Sequence, residues 1–502
     1  MRTIEEILAI PEIERKIYYL KKGRNTELPN AHALYNDWNP NKHEIVIDEE
    51  KYPKIKITTQ PEKRITDPTT GKEYVEPAVK KEVDPNRIAL PIEQDIVNIQ
   101  TAFTVGTEPV LDCQPDKSEE GLLSALKQVF KKNKLKYQNK KVVRAWLSEQ
   151  EVAEYWYVVK DDVFWAKLKR KVTEIFGKSK PEYRLKSAIW SPFRGDKLYP
   201  FFNDQGDLVA LSREYKKKDL DDVEITCFMT ITKDMVYQWE LTNNWTDKGS
   251  FAHGFKKMPV IYMWRPEAYC EKIKSLRVRL EKLLSNYADC IDYHFFPILM
   301  LFGDVQNFSG EFKNRVVELT GQGANAQYLT WSQVPDTVEF EAETLFSQIY
   351  GLTNTPRISF DSLKGTGNAV SGVAFDYVFM STHLNVENLN ETVGEFMQRR
   401  VNFLVSALGS VNTSLEVASE TIDVDVQMQP YRLEDIKDKI DTAIKAKDGE
   451  IWSHERAITF VGNVDNVLEE VERIKEEQAE KQQNEISKQE QLSKFNSRNM
   501  NK

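Results

Sequence analysis

Two glycine-containing segments have residue types that bind phosphate groups in nucleotide-dependent enzymes. Phe176-Gly177-Lys178-Ser179 resembles the end of a P-loop, but Val172 stands where that motif needs its first glycine. Gly365-Thr366-Gly367 lacks the third glycine and the preceding strand of a dinucleotide-binding turn. These departures favour a solvated surface turn at the first segment and a flexible loop at the second.

The residues that commonly ligate metals are not spaced for ligation. The six histidines form neither an HExxH nor an HxH pattern. They are His32, His43, His253, His294, His383 and His454. Asp423 and Asp425 would share one face of a strand and could form a paired-carboxylate metal site, but the solvent face of an amphipathic strand is the favoured interpretation. We therefore predict no catalytic residues, no metal and no cofactor, and a protein that is not an enzyme.

Length and charge restrict the remaining classes of protein. A chain of 502 residues with 40% hydrophobic and 11% aromatic residues predicts a globular protein, with about two to four domains. Its net charge of −9 argues against a protein that coats DNA with lysines. The basic run Lys167–Lys171 suggests a polyanion, either DNA or another protein, although a solvated face is the favoured alternative.

The sequence has no features of a membrane or secreted protein. No window approaches about eighteen uncharged apolar residues, and the acidic start Met1–Glu6 differs from a signal peptide. The four cysteines contain no CxxC pair and are expected to be reduced thiols of a cytoplasmic product. They are Cys113, Cys227, Cys270 and Cys290.

The first half of the chain is predicted to mix helices with short strands. Three strands are predicted at Ile45–Ile47, Ile55–Thr58 and Lys72–Val75. Apolar spacing predicts helices over about 92–106 and 119–132. From about 140 to 265 the pattern changes to strand and turn, with a hairpin around Asp204–Asp207.

The second half is predicted to be built around long helices. A helix is expected from Pro266 in its first turn to about Phe296, with an apolar stripe over 273–287. A small mixed insert with a Gly321–Gly323 turn follows. The remaining elements are a short helix at 341–350, a polar loop at 362–368, a long helix to about 408, an alternating strand at 421–428, and helices that end in a charged tail.

Five local sequences together suggest a known family. They are Thr104–Val110, Lys197–Tyr215, His253–Ile261, Ser371–Ala374 and Ile451–Ile474. In their order and spacing along nearly the whole chain, these segments resemble portal proteins of tailed bacteriophages, of the siphophage type that connects head to tail.

This resemblance implies an α+β portal fold. It has a mixed α/β wing, a long-helix stem, a small α/β clip, a tunnel loop with a long kinked helix, and a helical crown. The implied divisions are 1–265 for the wing, 266–296 for the first stem helix, 297–338 for the clip, 339–354 for the second stem helix, 355–368 for the tunnel loop, 369–410 for the long helix of the wing, 411–480 for a returning strand and crown, and 481–502 for a disordered tail.

The resemblance also implies a function and a set of partners. A homo-oligomeric ring, usually of twelve subunits, would occupy one capsid vertex and pass double-stranded viral DNA during packaging and ejection. It would be assembled in the host cytoplasm, and would contact the major capsid protein, the terminase large subunit and then a head-tail adaptor. Another capsid or tail structural protein is the first alternative, and a DNA-processing enzyme such as a nuclease is the second.

The candidate functional residues fall into two groups. The tunnel loop would present Ser362, Leu363, Lys364, Gly365, Thr366, Gly367 and Asn368, with Lys364 as the candidate for a transient phosphate contact. A slender pair of stem helices is not expected to bury the 273–287 stripe within one chain. The clip is too small for its own core, and the alternative for its hydrophobic run Phe296–Phe302 is a core strand of a small sandwich. The subunit-interface candidates are therefore Leu280, Leu284, Phe296, Ile298 and Leu299.

Overall fold

The computed structural model describes residues 3–60, 62–66, 71, 73–160, 183–218, 220–294, 298–308, 317–329, 335–357, 379–429, 431, 436–462, 470–480 and 483. The chain divides into two compact units. One comprises Met1–Arg357 with Ser381–Tyr431, and the other comprises Ile358–Met380 with Arg432–Lys502. Helices and antiparallel sheets are mixed along the chain, so the predicted α+β class is confirmed.

The N-terminal part of the first unit contains four short helices and two small hairpins. The helices are α1 (Ile4–Leu8), α2 (Ile13–Lys22), α3 (Ala31–Trp38) and α4 (Glu44–Ile47). The strands are β1 (Ile55–Gln60), β2 (Lys63–Thr66), β3 (Glu73–Glu76) and β4 (Val79–Val83), paired as β1 with β4 and β2 with β3. A capping box between Thr3 and Glu6 begins α1, because each side chain accepts from the other residue's backbone N–H.

The strand predicted at Ile45–Ile47 is wrong, because these residues form α4. The β-branched side chains favour a strand locally. However, the Arg87 guanidinium donates to the carbonyl oxygens of Ile45 and Val46 at 3.3 and 3.0 Å. A contact made across about forty residues of sequence therefore overrides the local preference.

Three helices follow: α5 (Ile92–Val105), α6 (Glu120–Asn133) and α7 (Leu135–Glu149), with the short strand β5 (Val110–Asp112) between the first two. The predicted change to strand and turn at about 140 is wrong, because α7 continues to Glu149. Its buried positions include Leu135, Val142 and Trp146 at helical spacing. Lys134 lies between α6 and α7 with φ +53°, so one residue in the left-handed region separates the two helices.

Two antiparallel sheets form the β-rich part of the unit. The strands are β6 (Glu151–Lys160), β7 (Tyr183–Trp190), β8 (Lys197–Phe202), β9 (Leu208–Lys218), β10 (Glu224–Thr232), β11 (Met235–Leu241), β12 (Trp245–Ala252) and β13 (Val260–Trp264). Strands β8 to β12 make a five-stranded meander, and β13-β6-β7 make a three-stranded sheet. The hairpin predicted around Asp204–Asp207 is confirmed, with Phe201 opposite Ala210.

The long helices pack into the largest core together with α5, α6, α7 and the three-stranded sheet. They are α8 (Lys274–His294), α9 (Pro335–Leu352) and α10 (Met380–Val411). The prediction that Pro266 lies in the first turn of α8 is wrong, because the helix begins at Lys274. Arg265 N donates to Gln150 O and Tyr269 N donates to Leu147 O, both at 2.8 Å, so this stretch is tied to the end of α7 before the helix begins.

The insert between α8 and α9 is a long hairpin of β14 (Ile298–Phe308) and β15 (Val317–Leu329). Gly321–Gly323 lie within β15 and not in a turn between elements. Phe302 is opposite Asn325 and Asp304 is opposite Thr320, so four residues bulge opposite one. Gly323 has φ +93°, a backbone conformation that glycine adopts without strain.

The end of the first unit contains α11 (Glu416–Thr421) and β16 (Asp425–Gln427), and β16 pairs with β5. The predicted strand at 421–428 is therefore shorter than expected, but its alternation is retained: Val424 is buried and Asp423 and Asp425 are exposed. The second unit contains α12 (Ile436–Asp448), α13 (His454–Val461) and a helical stretch at 470–480.

Candidate functional site

The predicted tunnel loop, Ser362 to Asn368, lies outside the described residues. Before this loop the described residues end at Arg357, and after it they begin again at Phe379. Both of these flanks meet one buried polar cluster, which we name the clamp. It consists of Gln100, Tyr269, Thr353, Asn354, Thr355, Thr382 and Asn385.

Gln100 is the centre of the clamp. Its side chain is fully buried on α5, four residues after Ile96 on the face that packs into the core. Gln100 Nε2 lies 3.1 Å from both Thr353 O and Asn354 O, and 2.9 Å from Thr355 Oγ1. The two N–H groups of this amide are shared among three oxygens just after α9, where Tyr269 and Thr382 also donate to the two carbonyl groups.

The opposite side of the clamp is the first part of α10. Asn385 Nδ2 donates to Gln100 Oε1 and to the Tyr269 hydroxyl, both at 2.9 Å. Thr382 Oγ1 donates to Asn354 O at 2.8 Å. The chain that leaves the clamp at Asn354 therefore returns to within hydrogen-bond distance of it at Thr382. We name the segment between these two residues the excursion; the clamp holds its two ends together.

Tyr269 completes the cluster as a neutral donor. Its hydroxyl donates to Thr353 O at 2.6 Å. Burial raises the pKa of Tyr269 to about 12, so the hydroxyl keeps its proton near neutral pH. Asn354 has φ +48°, a left-handed conformation that asparagine tolerates better than most residues.

The sequence analysis did not identify the clamp. The available signal was the presence of polar residues, Gln100 and Thr104 among them, at positions of α5 that share its apolar, buried face. Their partners are distant in sequence: Thr353 is 253 residues from Gln100, and Asn385 is 285 residues from it. Spacing along one chain segment cannot indicate such contacts.

A second buried cluster fixes the start of α8. Arg277 is 1% exposed, and its guanidinium lies 2.5 Å from Glu93, 3.0 Å from Asp37 and 3.3 Å from Glu281. His43 Nδ1 lies 2.6 Å from Glu281. Burial raises the pKa of Glu93 to about 7, although Arg277 opposes this shift. These charged groups tie α8 to α3, α4 and α5, so they serve the fold.

The interface candidates on α8 differ from one another. Leu280 is fully buried in the core of its own chain, so the expectation that one chain could not bury it is wrong. The reason is that α8 packs on α5, α9 and the N-terminal helices and is not a free-standing rod. Leu284 is only half-buried and stays a candidate.

The three remaining candidates belong to the clip. Phe296 lies outside the described residues, and only the backbone is described for Ile298 and Leu299. Both of these lie in β14, where Ile298 is opposite Leu329 and Leu299 is opposite Tyr328. Within the described part of the chain, this sheet has two strands only.

Other candidate sites from the sequence gain no support. Among the residues with described positions, no group of three metal-ligating side chains lies together, and Asp423 and Asp425 face solvent. Cys113, Cys227, Cys270 and Cys290 are free thiols. Lys167–Lys171 and Phe176–Ser179 lie outside the described residues. No helix in the described ranges is long and apolar enough to cross a membrane.

Comparison with known proteins identifies the family. The sequence matches the family described as "Phage portal protein, SPP1 Gp6-like" over residues 19–484. No curated protein matches it significantly. A chain in the solved structure "Virion of native gene transfer agent (GTA) particle" aligns with 10% identity over 74% of this chain and 90% of that chain, with a TM-score of 0.38. That likeness is too weak to carry an argument. Because the family match covers most of its length, this chain belongs to the phage portal protein family and is a structural component of the virion.

Proposed function

We propose that the protein forms a ring, of twelve subunits, at one vertex of a bacteriophage capsid. Double-stranded viral DNA would enter and leave the capsid through the centre of this ring. The terminase large subunit would dock during packaging and a head-tail adaptor afterwards, with the major capsid protein around the ring. The observation that carries the proposal is the match to the portal family over residues 19–484.

Within this proposal each segment has a role. Residues 1–265 are the wing, α8 and α9 are the stem, the hairpin β14–β15 is the clip, and α10 is the long helix behind the tunnel loop. Residues 411–480 supply the returning strand and crown. The clamp supports this division, because a loop that touches moving DNA needs both of its ends held by the rigid part of the subunit.

The clip supports assembly through a separate argument. An isolated two-stranded hairpin is marginally stable in water. Its unpaired edges are suited to strand addition, in which another chain supplies the next strand. We therefore propose that β14 or β15 pairs with the clip of the neighbouring subunit, and that Ile298 and Leu299 lie at this contact.

Negative-stain microscopy with native mass measurement of the purified chain tests the function. The expected result is a ring with a central channel and a mass near twelve times 58.3 kDa. A discrete assembly without a channel would favour another capsid or tail protein. A monomer that cleaves DNA in the presence of magnesium would favour the nuclease alternative.

A further inference from the structure

A strongly basic surface lies on α6 and α7 of this acidic protein. Residues 127–141 contain seven lysines and no acidic residue, whereas the whole chain has a net charge of −9. We name this surface the basic face. Its lysines are Lys127, Lys131, Lys132, Lys134, Lys136, Lys140 and Lys141.

Within the described part of the chain, no carboxylate neutralises the lysines of the basic face. All but the half-buried Lys140 are exposed, and in the described ranges none has a carboxylate oxygen within 4.0 Å. Other exposed lysines of this chain do form such pairs, including Lys197 with Glu214 at 3.0 Å. A concentration of unpaired charge of one sign attracts a partner of the opposite sign.

The basic face also has an apolar groove. A cavity of about 530 Å³ is lined by four lysines and one acidic residue, Glu108, and its walls also include Val110, Phe130 and Tyr137. The four lysines are Lys127, Lys131, Lys134 and Lys136. Tyr137 is 62% exposed and Val110 is 41% exposed. Duplex DNA would present phosphates to the lysines but no apolar group to the groove. The combination of charge and apolar surface therefore favours a protein segment with acidic and apolar side chains.

The chain itself carries a surface with that chemistry. Leu384, Glu387 and Glu391 are exposed on α10, and their spacing of three and four residues places them on one face. They extend over about 10 Å of helix. Leu384 is 59% exposed. Neither glutamate has a cationic partner among the described residues, whereas Glu395 pairs with Arg399. We name these three residues the acidic stripe.

Among the described residues, no ion pair joins the acidic stripe to the basic face of the same subunit. Helices α7 and α10 do contact each other on their buried sides, where Arg400 donates to Asn139. Two different, complementary surfaces on one chain are what a head-to-tail contact requires, and such contacts form a ring when the rotation between neighbouring copies closes.

We propose that the acidic stripe of one copy docks on the basic face of the neighbouring copy, with Leu384 in the groove and Glu387 and Glu391 beside the lysines. This inference rests on the proposed function for the existence of an assembly, and adds which surfaces form it. Because the contact is partly exposed and electrostatic, it weakens as salt is raised.

Charge reversal with rescue tests this contact. One variant carries Lys131→Glu and Lys136→Glu, a second carries Glu387→Lys and Glu391→Lys, and a third combines all four changes. We expect each of the first two to raise the concentration for half-assembly by about tenfold or more, because attraction is replaced by repulsion. The third variant should recover most of this loss. Mass photometry over a concentration series, at low and high salt, measures the effect.

The controls separate this proposal from the proposed function. Lys42→Glu with Lys233→Glu reverses two exposed lysines outside the basic face and should assemble as the wild type does. Far-UV circular dichroism and thermal unfolding check that all variants fold.

A monomeric wild type would overturn the proposed function and this inference with it. Wild-type assembly with normal assembly of the first two variants, or without recovery in the third, would overturn this inference alone. Loss of binding to a 30-base-pair duplex by a lysine variant that still assembles would instead make the basic face a DNA site.

Discussion

At the scale of single residues, Gln100 is the most informative position, because it is the centre of the clamp. It is buried and uncharged, and its amide nitrogen lies within hydrogen-bond distance of Thr353 O and Asn354 O just after α9. A buried polar group left without its hydrogen bond costs about 1–3 kcal/mol. The clamp therefore holds residues 353–355 and the start of α10 in one arrangement. The free energy that Gln100 contributes to this arrangement can be measured by mutating it.

Replacing Gln100 with leucine should destabilise the clamp while preserving side-chain volume. We expect the free energy of unfolding to fall by about 1–3 kcal/mol. We also expect hydrogen exchange at the amides of residues 353–357 to become faster. Gln94→Leu is the matched control, because Gln94 is on the same helix and donates one bond, to Trp38 O at 2.7 Å. Equal exchange at 353–357 in the two variants would show that Gln100 does not hold this segment.

A second residue makes stability depend on pH. Burial raises the pKa of Glu149 to about 7, against the hydrogen bond that Phe193 N donates to its Oε2 at 2.6 Å. The folded carboxyl therefore holds its proton at a pH where the unfolded chain, with a pKa near 4.5, has lost it. Its contribution to stability is complete below about pH 4.5 and declines as pH rises through 7.

Glu149→Gln should remove this pH dependence. The variant should gain stability relative to the wild type as pH rises from 5 to 8, by an amount on the order of 2 kcal/mol. Urea unfolding of both proteins at pH 5 and pH 8 gives the comparison. A difference in free energy that stays constant between the two pH values would contradict the assignment. Glu93, whose pKa is also raised, is present in both proteins and cancels.

At the scale of elements, the sequence predicts those whose apolar spacing is regular and fails where distant contacts decide. Helices α5 and α6 and the hairpin β8–β9 lie within one or two residues of expectation. The segment Ile45–Ile47 has the residue types of a strand, but Arg87 holds it as a helix. Helix α7 was not predicted, because its many lysines make the helical spacing of its buried positions, which continue to Glu149, hard to recognise. The clamp and the Arg277 cluster could not be predicted, since their members come from four or more separate segments.

The two leucines of α8 should now behave differently on mutation. Leu280→Ala should lower the stability of the individual subunit by about 2–5 kcal/mol, because it leaves a cavity in the main core. Leu284→Asp should leave the unfolding of the subunit closer to that of the wild type and weaken assembly. Chemical denaturation of dissociated subunits and mass photometry separate the two effects. If Leu280→Ala formed normal subunits and impaired only assembly, its placement in the core would be wrong.

The clip hairpin should gain a partner strand when subunits assemble. Backbone amides at one outer edge of β14 or β15 should exchange at least about tenfold more slowly in the ring than in dissociated subunits, since new inter-strand hydrogen bonds protect them. Hydrogen exchange with mass spectrometry over residues 298–329 measures this. Amides of β10, a central strand of the five-stranded sheet, provide an internal reference that assembly should not change. Equal exchange in ring and subunit at both edges would exclude strand addition.

At the scale of the whole molecule, the contacts that maintain the fold can be separated from the predicted site of DNA contact. The clamp, the Arg277 cluster and the largest core lie within residues 3–357 and 381–431. Ser362 to Asn368 lie between these two ranges. The ends of the excursion are joined by the bond from Thr382 to Asn354, so shortening the excursion does not require its anchors to move.

Deleting Ser362 to Asn368 should therefore leave ring assembly intact and impair packaging or retention of DNA. About fourteen residues would remain between Arg357 and Phe379, far more than the short distance between the anchors requires. The deletion removes Lys364, the candidate phosphate contact, and the two glycines that give the loop its backbone freedom. Microscopy of the purified variant checks the rings, and DNA protected from nuclease in particles from a complemented infection measures packaging. Lys364→Gln alone, which keeps the length of the loop, tests whether charge or loop length matters. Normal packaging and retention by the deletion variant, with rings confirmed, would show that this segment is only a surface connection.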